Sequence, residues 1–153
     1  MRITKVKAKN NGKLYVGFLK ADVGMTTPKL HIEDCGLPSN EFAAAMAAVA
    51  PLAAAIIGLP EAVQRACAFQ QIDVRRKERK ENGQFVDDTF ITVTLEMGVI
   101  GSDKSAAVKT CPLCYDTTGN RLPCKGAEGP LVDAVEAMLD EAEAYVEAES
   151  KSA

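Results

Sequence analysis

The chain has no tryptophan, a single histidine, three tyrosines and five phenylalanines. A lone histidine with no nucleophile or carboxylate placed near it in the sequence gives no general base, and no other catalytic motif is present. We therefore expect a protein that is not an enzyme. The few rings also restrict any surface on which nucleobases could stack. The candidates for such a surface are Tyr15, Phe18, Phe69, Phe85, Phe90 and Tyr115.

The sequence also lacks the apolar segment of a signal peptide, since it opens with MRITKVKAK. Its five cysteines are an odd number, which favours reduced thiols over a disulfide framework and predicts a cytoplasmic protein. With 153 residues, 47% of them hydrophobic and 25% charged, the composition is that of one soluble domain, residues 1–153. The longest apolar stretch, residues 42–57, is rich in alanine and contains Pro51, so it predicts a buried helix and no membrane span.

Three cysteines in the second half have a spacing that zinc sites use. Cys111 and Cys114 form a CxxC pair whose thiolates can reach one tetrahedral zinc ion, with Cys124 as a third ligand. A fourth ligand would have to be Cys35 or His31, both distant in sequence, and a second CxxC is missing. We therefore expect unligated thiols in a loop and no cofactor, with zinc as the alternative. His31 is predicted to be a surface histidine.

The net charge of −3 hides a division between the body of the chain and its last segment. Residues 128–153 contain eight acidic residues and one lysine, a charge of −7, whereas the other 127 residues carry +4. A mildly basic body indicates nucleic acid or an acidic protein as partner.

The most informative segment is DVRRKERKENGQF, residues 73–85, because it reads as the tip of a β-hairpin. Asn82-Gly83 is a dipeptide that tolerates the positive φ angles of a tight turn. A cationic two-stranded arm suits a polyanion, since phosphate contacts release counterions without needing a particular sequence. The alternative is a solvated hairpin whose charges protect a long strand edge. The predicted nucleic-acid-binding residues are the arm cations Arg75, Arg76, Lys77, Arg79 and Lys80, with Lys5, Lys7 and Lys9 as a second basic strip.

Alternation of polar and apolar residues predicts three strands in the first half, over residues 2–9, 13–20 and 30–34. The side chains expected on the core face are Thr4, Val6, Ala8, Leu14, Val16, Phe18, Leu30 and Ile32. A helix follows over residues 42–57, with Ser39 or Asn40 as N-cap. Because this helix is uncharged, we expect cover on most sides, and a kink or break at Pro51.

The second half predicts the same order of elements. A long hairpin spans residues 67–79 and 85–99, followed by a strand over 106–111, a loop over 112–129 and a helix from Pro130. The hairpin residues expected to face inward are Ile91, Val93, Leu95 and Met97. The apolar face of the last helix is Leu131, Val132, Val135, Met138, Leu139, Ala142, Tyr145 and Val146. This face is wide enough for packing on a sheet, which leaves an acidic ridge outside.

The predicted fold is therefore α+β, with antiparallel strands in a βββα–βββα order, the alanine-rich helix buried and the acidic helix packed on the sheet. Residues 1–60 and 61–153 would be its halves. At the level of fold this order resembles small single-strand-binding proteins, which use a curved antiparallel sheet as a platform.

As a whole the chain also resembles a group of small uncharacterised proteins of tailed phages and prophages. The segments that carry this resemblance are MRITKVKAKNNGKLYVGF, AAVAPLAAAIIGLPEA, FITVTLEMGVIGSDKSAAVKTCPL and LVDAVEAMLDEAEAYVE. The resemblance implies a mobile-element origin and a bacterial host cytoplasm, and it implies no functional residue.

We expect a phage-type nucleic-acid-binding accessory protein, with single-stranded DNA as first choice. The arm would grip the backbone, and Tyr15, Phe18 or Phe85 would stack on bases. We also expect a homo-oligomer, because repeated subunits add avidity to weak sites. The alternative is a protein-binding module, such as a phage inhibitor of a host defence or replication factor. A metal-dependent enzyme would require the CxxC pair and carboxylates to converge.

Overall fold

The computed structural model describes residues 1–9, 11–20, 29–98, 104–116 and 129–152, which form an antiparallel sheet of seven strands and three helices. The predicted α+β class and the approximate βββα–βββα order are confirmed. The strands are β1 (Arg2–Ala8), β2 (Leu14–Leu19), β3 (Lys29–Glu33), β4 (Cys67–Glu81), β5 (Gln84–Gly98), β6 (Ser105–Lys109) and β7 (Leu113–Asp116). The helices are α1 (Asn40–Ile57), α2 (Glu61–Gln64) and α3 (Gly129–Ser152).

One continuous sheet joins the two halves of the chain. Its strand order is β3-β2-β1-β4-β5-β6, with β7 also paired to β5. The central junction is the antiparallel pairing of β1 with β4, where Val6 lies opposite Ile72. β6 and β7 lie along the same edge of β5, and the backbone N–H of Thr110 between them donates to the carbonyl of Val93. The first and second sets of strands therefore share one core.

α1 and α3 pack on each other and on one face of the sheet, where they contact β1, β4 and β5. The eight apolar positions predicted for the last helix are all buried, which confirms that α3 packs against the protein core. Burial of Ile91, Val93 and Leu95 confirms the predicted inward face of β5, whereas Met97 near the strand's end is half-buried. We call the opposite side of the sheet, which no described helix covers, the outer face.

The predicted alternation in the first strand is wrong at Thr4, because β1 contains a β-bulge there. The pairing with β2 shifts register between Ile3 and Lys5, so Ile3 and Val6 are both buried while Thr4 is half-buried. A bulge inserts one unpaired residue and so breaks the period of two. Leu30 lies opposite the buried Phe18, as predicted for the core face, but it remains 37% exposed because β3 is an edge strand.

α1 begins at the predicted cap, where the Ser39 hydroxyl accepts from the N–H of Phe42 at 3.1 Å. It then runs unbroken through Pro51, so the expected break into two pieces is wrong. Pro51 faces solvent, where water can bond to the carbonyl that loses its helical partner.

The expectation that α1 is covered on most sides is also wrong. Only the stripe Phe42, Met46, Val49, Ala50, Ala53 and Ala54 is buried. Within the part of the chain that the structure describes, α1 is the one helix long and apolar enough to cross a membrane, with a mean hydropathy of 1.6. A core helix of a soluble protein can meet the same two criteria.

The loop predicted from residue 112 is wrong at its start, because Leu113–Asp116 is the strand β7. Leu113, Cys114 and Tyr115 are buried against β5, and the Tyr115 hydroxyl donates to Glu136 of α3 at 2.5 Å. Four residues after Pro112 are too few for a recognisable alternation, so pairing with β5 decides their conformation.

Candidate nucleic-acid interface

The basic segment is the end of the β4–β5 hairpin, and it extends beyond the strands beside it. β1 pairs with β4 only over Gln71–Asp73, and β7 pairs with β5 no further than Asp88. The remaining two-stranded ribbon reaches about 17 Å past the sheet at the usual rise per residue. We call residues 75–85 the arm. Asn82 and Gly83 have φ values of 49° and 81°, which confirms the predicted tight turn.

The arm cations do not form one cluster, because neighbours in a strand point to opposite faces. Arg75, Lys77 and Lys80 are exposed, whereas Arg76 is half-buried opposite the buried Thr89. None of these four forms an ion pair with another described side chain. The side chain of Arg79 lies outside the described part of the structure. Four predicted cations are therefore placed on the arm, divided between its two sides.

The acidic residues near the arm reduce its charge without cancelling it. Residues 75–85 contain five cations and two carboxylates, Glu78 and Glu81. Lys77 lies directly opposite Asp88 in the hairpin register, and Lys80 lies opposite Phe85. The arm therefore keeps a net positive charge.

The three lysines of the predicted second strip have different surroundings. Lys9 contacts the carboxylates of Glu33 and Asp34, and these hydrogen bonds raise the pKa of Lys9 above its ordinary value of 10.5. Lys5 lies 3.4 Å from Asp73, an exposed pair of a kind that contributes little. Lys7 is exposed. Two carboxylates already hold Lys9, so it is a poor candidate for phosphate binding.

The aromatic candidates also separate into buried and accessible rings. Phe18 is only 4% exposed and Tyr115 only 1%, so neither can stack on a base, and the expectation for Phe18 is wrong. Phe85 near the arm's turn is 70% exposed. Tyr15 and Phe90 are half-buried on the outer face of the sheet. Phe69, the sixth candidate, is half-buried and packs against the core. Phe85, Tyr15 and Phe90 are therefore the candidates that remain available for stacking.

A groove of about 660 Å³ crosses the outer face from β3 to β5 and reaches the base of the arm. We call it the outer groove. Its lining includes four cations and one carboxylate, Asp73. The cations are Lys5, Lys29, Arg75 and Arg76, and the apolar and aromatic lining includes Tyr15, Leu19, Leu30 and Phe90. Arg75 belongs to both the groove and the arm, so the two are continuous through this residue. Arg76 also lines the groove, but it lies opposite the buried Thr89, so its side chain points to the other face.

Two stacked pairs lie along this surface. The rings of Tyr15 and His31 are nearly parallel, at 16°, with centroids 5.2 Å apart. The guanidinium carbon of Arg75 lies 5.3 Å from the centre of the Phe90 ring, a cation–π contact. His31 is exposed, as predicted, and its position beside Tyr15 follows from the pairing of β2 with β3.

Among the described residues, the predicted cysteine ligands do not lie together in one site. Cys111 is exposed, Cys114 is buried in β7 and Cys124 lies outside the described part of the chain. The described residues contain no group of three histidine, cysteine or acidic side chains positioned to hold a metal ion. Since Cys114 belongs to a strand, the CxxC pair does not lie wholly in a loop.

Sequence reasoning missed Lys29, Leu19 and Gly17 as residues of the outer groove. Each contributes through its position in the β2–β3 register, so no local pattern marked them. Comparisons with protein-family models, curated proteins and solved structures gave no match to this chain.

Proposed function

We propose that the protein is a phage-type nucleic-acid-binding accessory protein whose ligand is single-stranded DNA. The observation that carries this proposal is the continuity of the arm with the outer groove through Arg75. A cationic ribbon beside a groove that contains accessible rings combines the two features by which single strands are held without sequence preference. The phage-type origin rests on the sequence pattern alone.

The charges support backbone binding by the arm. Arg75, Lys77 and Lys80 are exposed and lack ion pairs with the described side chains, so binding phosphate would not first require a salt bridge to break. Each phosphate neutralised by a cation releases counterions, which makes affinity strongly dependent on salt. We expect a homo-oligomer, because several weak sites that bind one strand together give a higher overall affinity. We expect the protein to act in the bacterial cytoplasm.

The test is fluorescence anisotropy with labelled single-stranded DNA between about 50 and 200 mM salt, where phosphate contacts weaken steeply. We expect the triple variant Arg75→Ala, Lys77→Ala, Lys80→Ala to bind at least tenfold more weakly. The slope of log affinity against log salt should fall by about 2, since each lost phosphate contact on a single strand removes about 0.7.

The matched control removes one arginine and two lysines elsewhere on the surface. Arg65, Lys13 and Lys20 are all exposed and lie outside the arm and the outer groove. Their replacement by alanine gives the same change in net charge, so a specific arm predicts near wild-type affinity for this control. Absence of binding by the wild type at the lowest salt would refute the proposed function, and equal losses in both triple variants would refute the role of the arm.

A further inference from the structure

We propose that the outer groove seats unpaired nucleobases over Gly17, so that the arm holds the phosphates of a strand while the groove holds its bases. This inference rests on the proposed function and specifies how the same surface selects single strands. It assigns a binding role to a glycine and to two pairs of stacked side chains.

Gly17 lies at the floor of the groove, in a line of residues that crosses the outer face. In this line Gly17 is opposite His31 on β3 and Lys5 on β1, and Lys5 in turn is opposite Asp73. A Cβ atom at Gly17 would come 3.0 Å from the Thr4 hydroxyl oxygen and 3.5 Å from the Tyr15 ring. Gly17 is therefore buried between larger neighbours, which leave no room for a longer side chain at this position.

The backbone conformation does not explain this glycine. Gly17 lies inside β2 in ordinary strand pairing, and it is not among the glycines with positive φ, which are Gly12, Gly58 and Gly83. A strand interior normally disfavours glycine, because it leaves nothing to pack and costs conformational entropy. Glycine in a strand often marks a close approach by a ligand or another part of the chain. Here Thr4 and Tyr15 approach closely on one side, and Gly17 also lines the groove.

Planar groups stand on both sides of that floor. The Tyr15–His31 stack lies on β2 and β3, and the Arg75–Phe90 pair lies on β4 and β5. Three strand spacings separate β2 from β5, which is about 14 Å. Aromatic faces and guanidinium planes are the groups on which bases stack, and stacking tolerates any base because every base has a π face. The volume of about 660 Å³ is in the range of small-molecule pockets.

A base in a duplex is paired and stacked, so its faces cannot reach these side chains without unstacking. The groove therefore distinguishes single-stranded from duplex DNA, because only a single strand exposes the faces of its bases. The arm contacts only phosphates, which both kinds of DNA expose. A strand without bases should bind through the arm alone.

The experiment compares labelled oligothymidine with an abasic strand of the same length, about 16 nucleotides, by anisotropy at about 50 mM salt. We expect wild-type protein to bind oligothymidine at least tenfold more tightly than the abasic strand. Gly17→Leu should fill the groove and remove that preference while leaving the affinity for the abasic strand unchanged. Gly98→Leu is the matched control, because a Cβ at Gly98 on β5 meets nothing within 4 Å.

Tyrosine fluorescence gives a readout that does not depend on folding of the Gly17 variant. The chain has no tryptophan, and of its three tyrosines Tyr115 and Tyr145 are buried. A base stacked at Tyr15 should quench the tyrosine emission of the wild-type protein, and Tyr15→Leu should abolish that change.

The outcomes separate the two proposals. Three results would overturn the proposed binding of bases in the groove and leave the arm proposal standing. They are equal wild-type affinity for both strands, absence of quenching, and a folded Gly17→Leu variant that still prefers oligothymidine to the abasic strand. If the wild type binds neither strand, the proposed function fails and the proposed binding of bases fails with it.

Discussion

Two buried hydroxyl groups that face each other across a strand pair have different hydrogen bonding. Thr89 of β5 lies opposite Tyr115 of β7, and both side chains are buried. The Tyr115 hydroxyl donates to Glu136 of α3. The hydroxyl oxygen of Thr89 has no hydrogen-bond partner among the residues that the structure describes. Burial of a polar atom costs free energy unless a hydrogen bond replaces the lost water.

The corresponding substitutions should therefore have opposite effects on stability. We expect Thr89→Val to raise the free energy of unfolding by about 1 kcal/mol, because it removes a desolvated hydroxyl that gains no bond. Tyr115→Phe should lower it by about 1 to 3 kcal/mol, since it leaves the Glu136 carboxylate without this donor and loosens β7 from α3. Urea denaturation of both variants and the wild type measures the two changes.

The double variant is the control for coupling between these neighbours, since residues in contact seldom give additive effects. A loss of stability in Thr89→Val would contradict the prediction. It would mean that the Thr89 hydroxyl forms a hydrogen bond that offsets its burial.

At the scale of elements, α1 contains a proline in its interior, where proline normally destabilises a helix. Pro51 occupies a solvent-facing position in the middle of an unbroken helix. Its ring removes one backbone hydrogen bond and crowds the preceding turn. We expect Pro51→Ala to raise the free energy of unfolding by about 1 to 3 kcal/mol, up to the helix-propensity difference between the two residues. Thermal and urea unfolding provide the measurement.

Pro60→Ala is the matched control, because Pro60 precedes α2 as its N-cap and interrupts no helical hydrogen bond. Its effect should stay within about 0.5 kcal/mol, as for most surface substitutions. Removing either proline frees the unfolded chain and by itself lowers stability, so a gain for Pro51→Ala must come from the helix interior. A change for Pro51→Ala no more favourable than that for Pro60→Ala would contradict the prediction.

Sequence periodicity predicted the elements that are long and regular. The apolar positions of α3 and the inward face of β5 repeat over enough residues to fix both element and orientation. The wrong predictions for strands are at places where pairing with another strand decides the conformation. The bulge at Thr4 and the short strand β7 are specified by partners on β2 and β5, which no local pattern contains.

The candidate site shows the same division. The arm and its turn were predictable, because charge and Asn82-Gly83 are local features. The outer groove was not, since it joins residues from β1 to β5 that become neighbours only through strand order. Lys9 shows a further limit of prediction from sequence. Its charge is evident in the sequence, but its contacts with Glu33 and Asp34 form only because the fold brings the ends of β1 and β3 together.

At the scale of the whole molecule, opposite charges lie on opposite sides of the sheet. α3 packs with α1 on the inner face and carries the acidic residues, while the cationic groove lies on the outer face. The acidic side chains are therefore separated from the groove by the thickness of the sheet and a helix, about 20 Å. Their field reaches the groove only when the Debye length is comparable, about 30 Å at 0.01 M salt against 8 Å at 0.15 M.

This separation predicts a salt-dependent effect of the acidic helix. The variant Asp140→Asn, Glu143→Gln, Glu147→Gln changes the net charge from −3 to zero without touching the arm or the groove. We expect its association rate with single-stranded DNA to rise several-fold at about 10 mM salt and to match the wild type at about 150 mM. Stopped-flow anisotropy measures both rates, and Ala137→Ser with Ala144→Ser on the same exposed side is the uncharged control. A higher association rate that persists at about 150 mM salt would contradict the separation of charges. At that salt concentration the Debye length is about 8 Å, so only acidic groups close to the bound strand could still affect the rate.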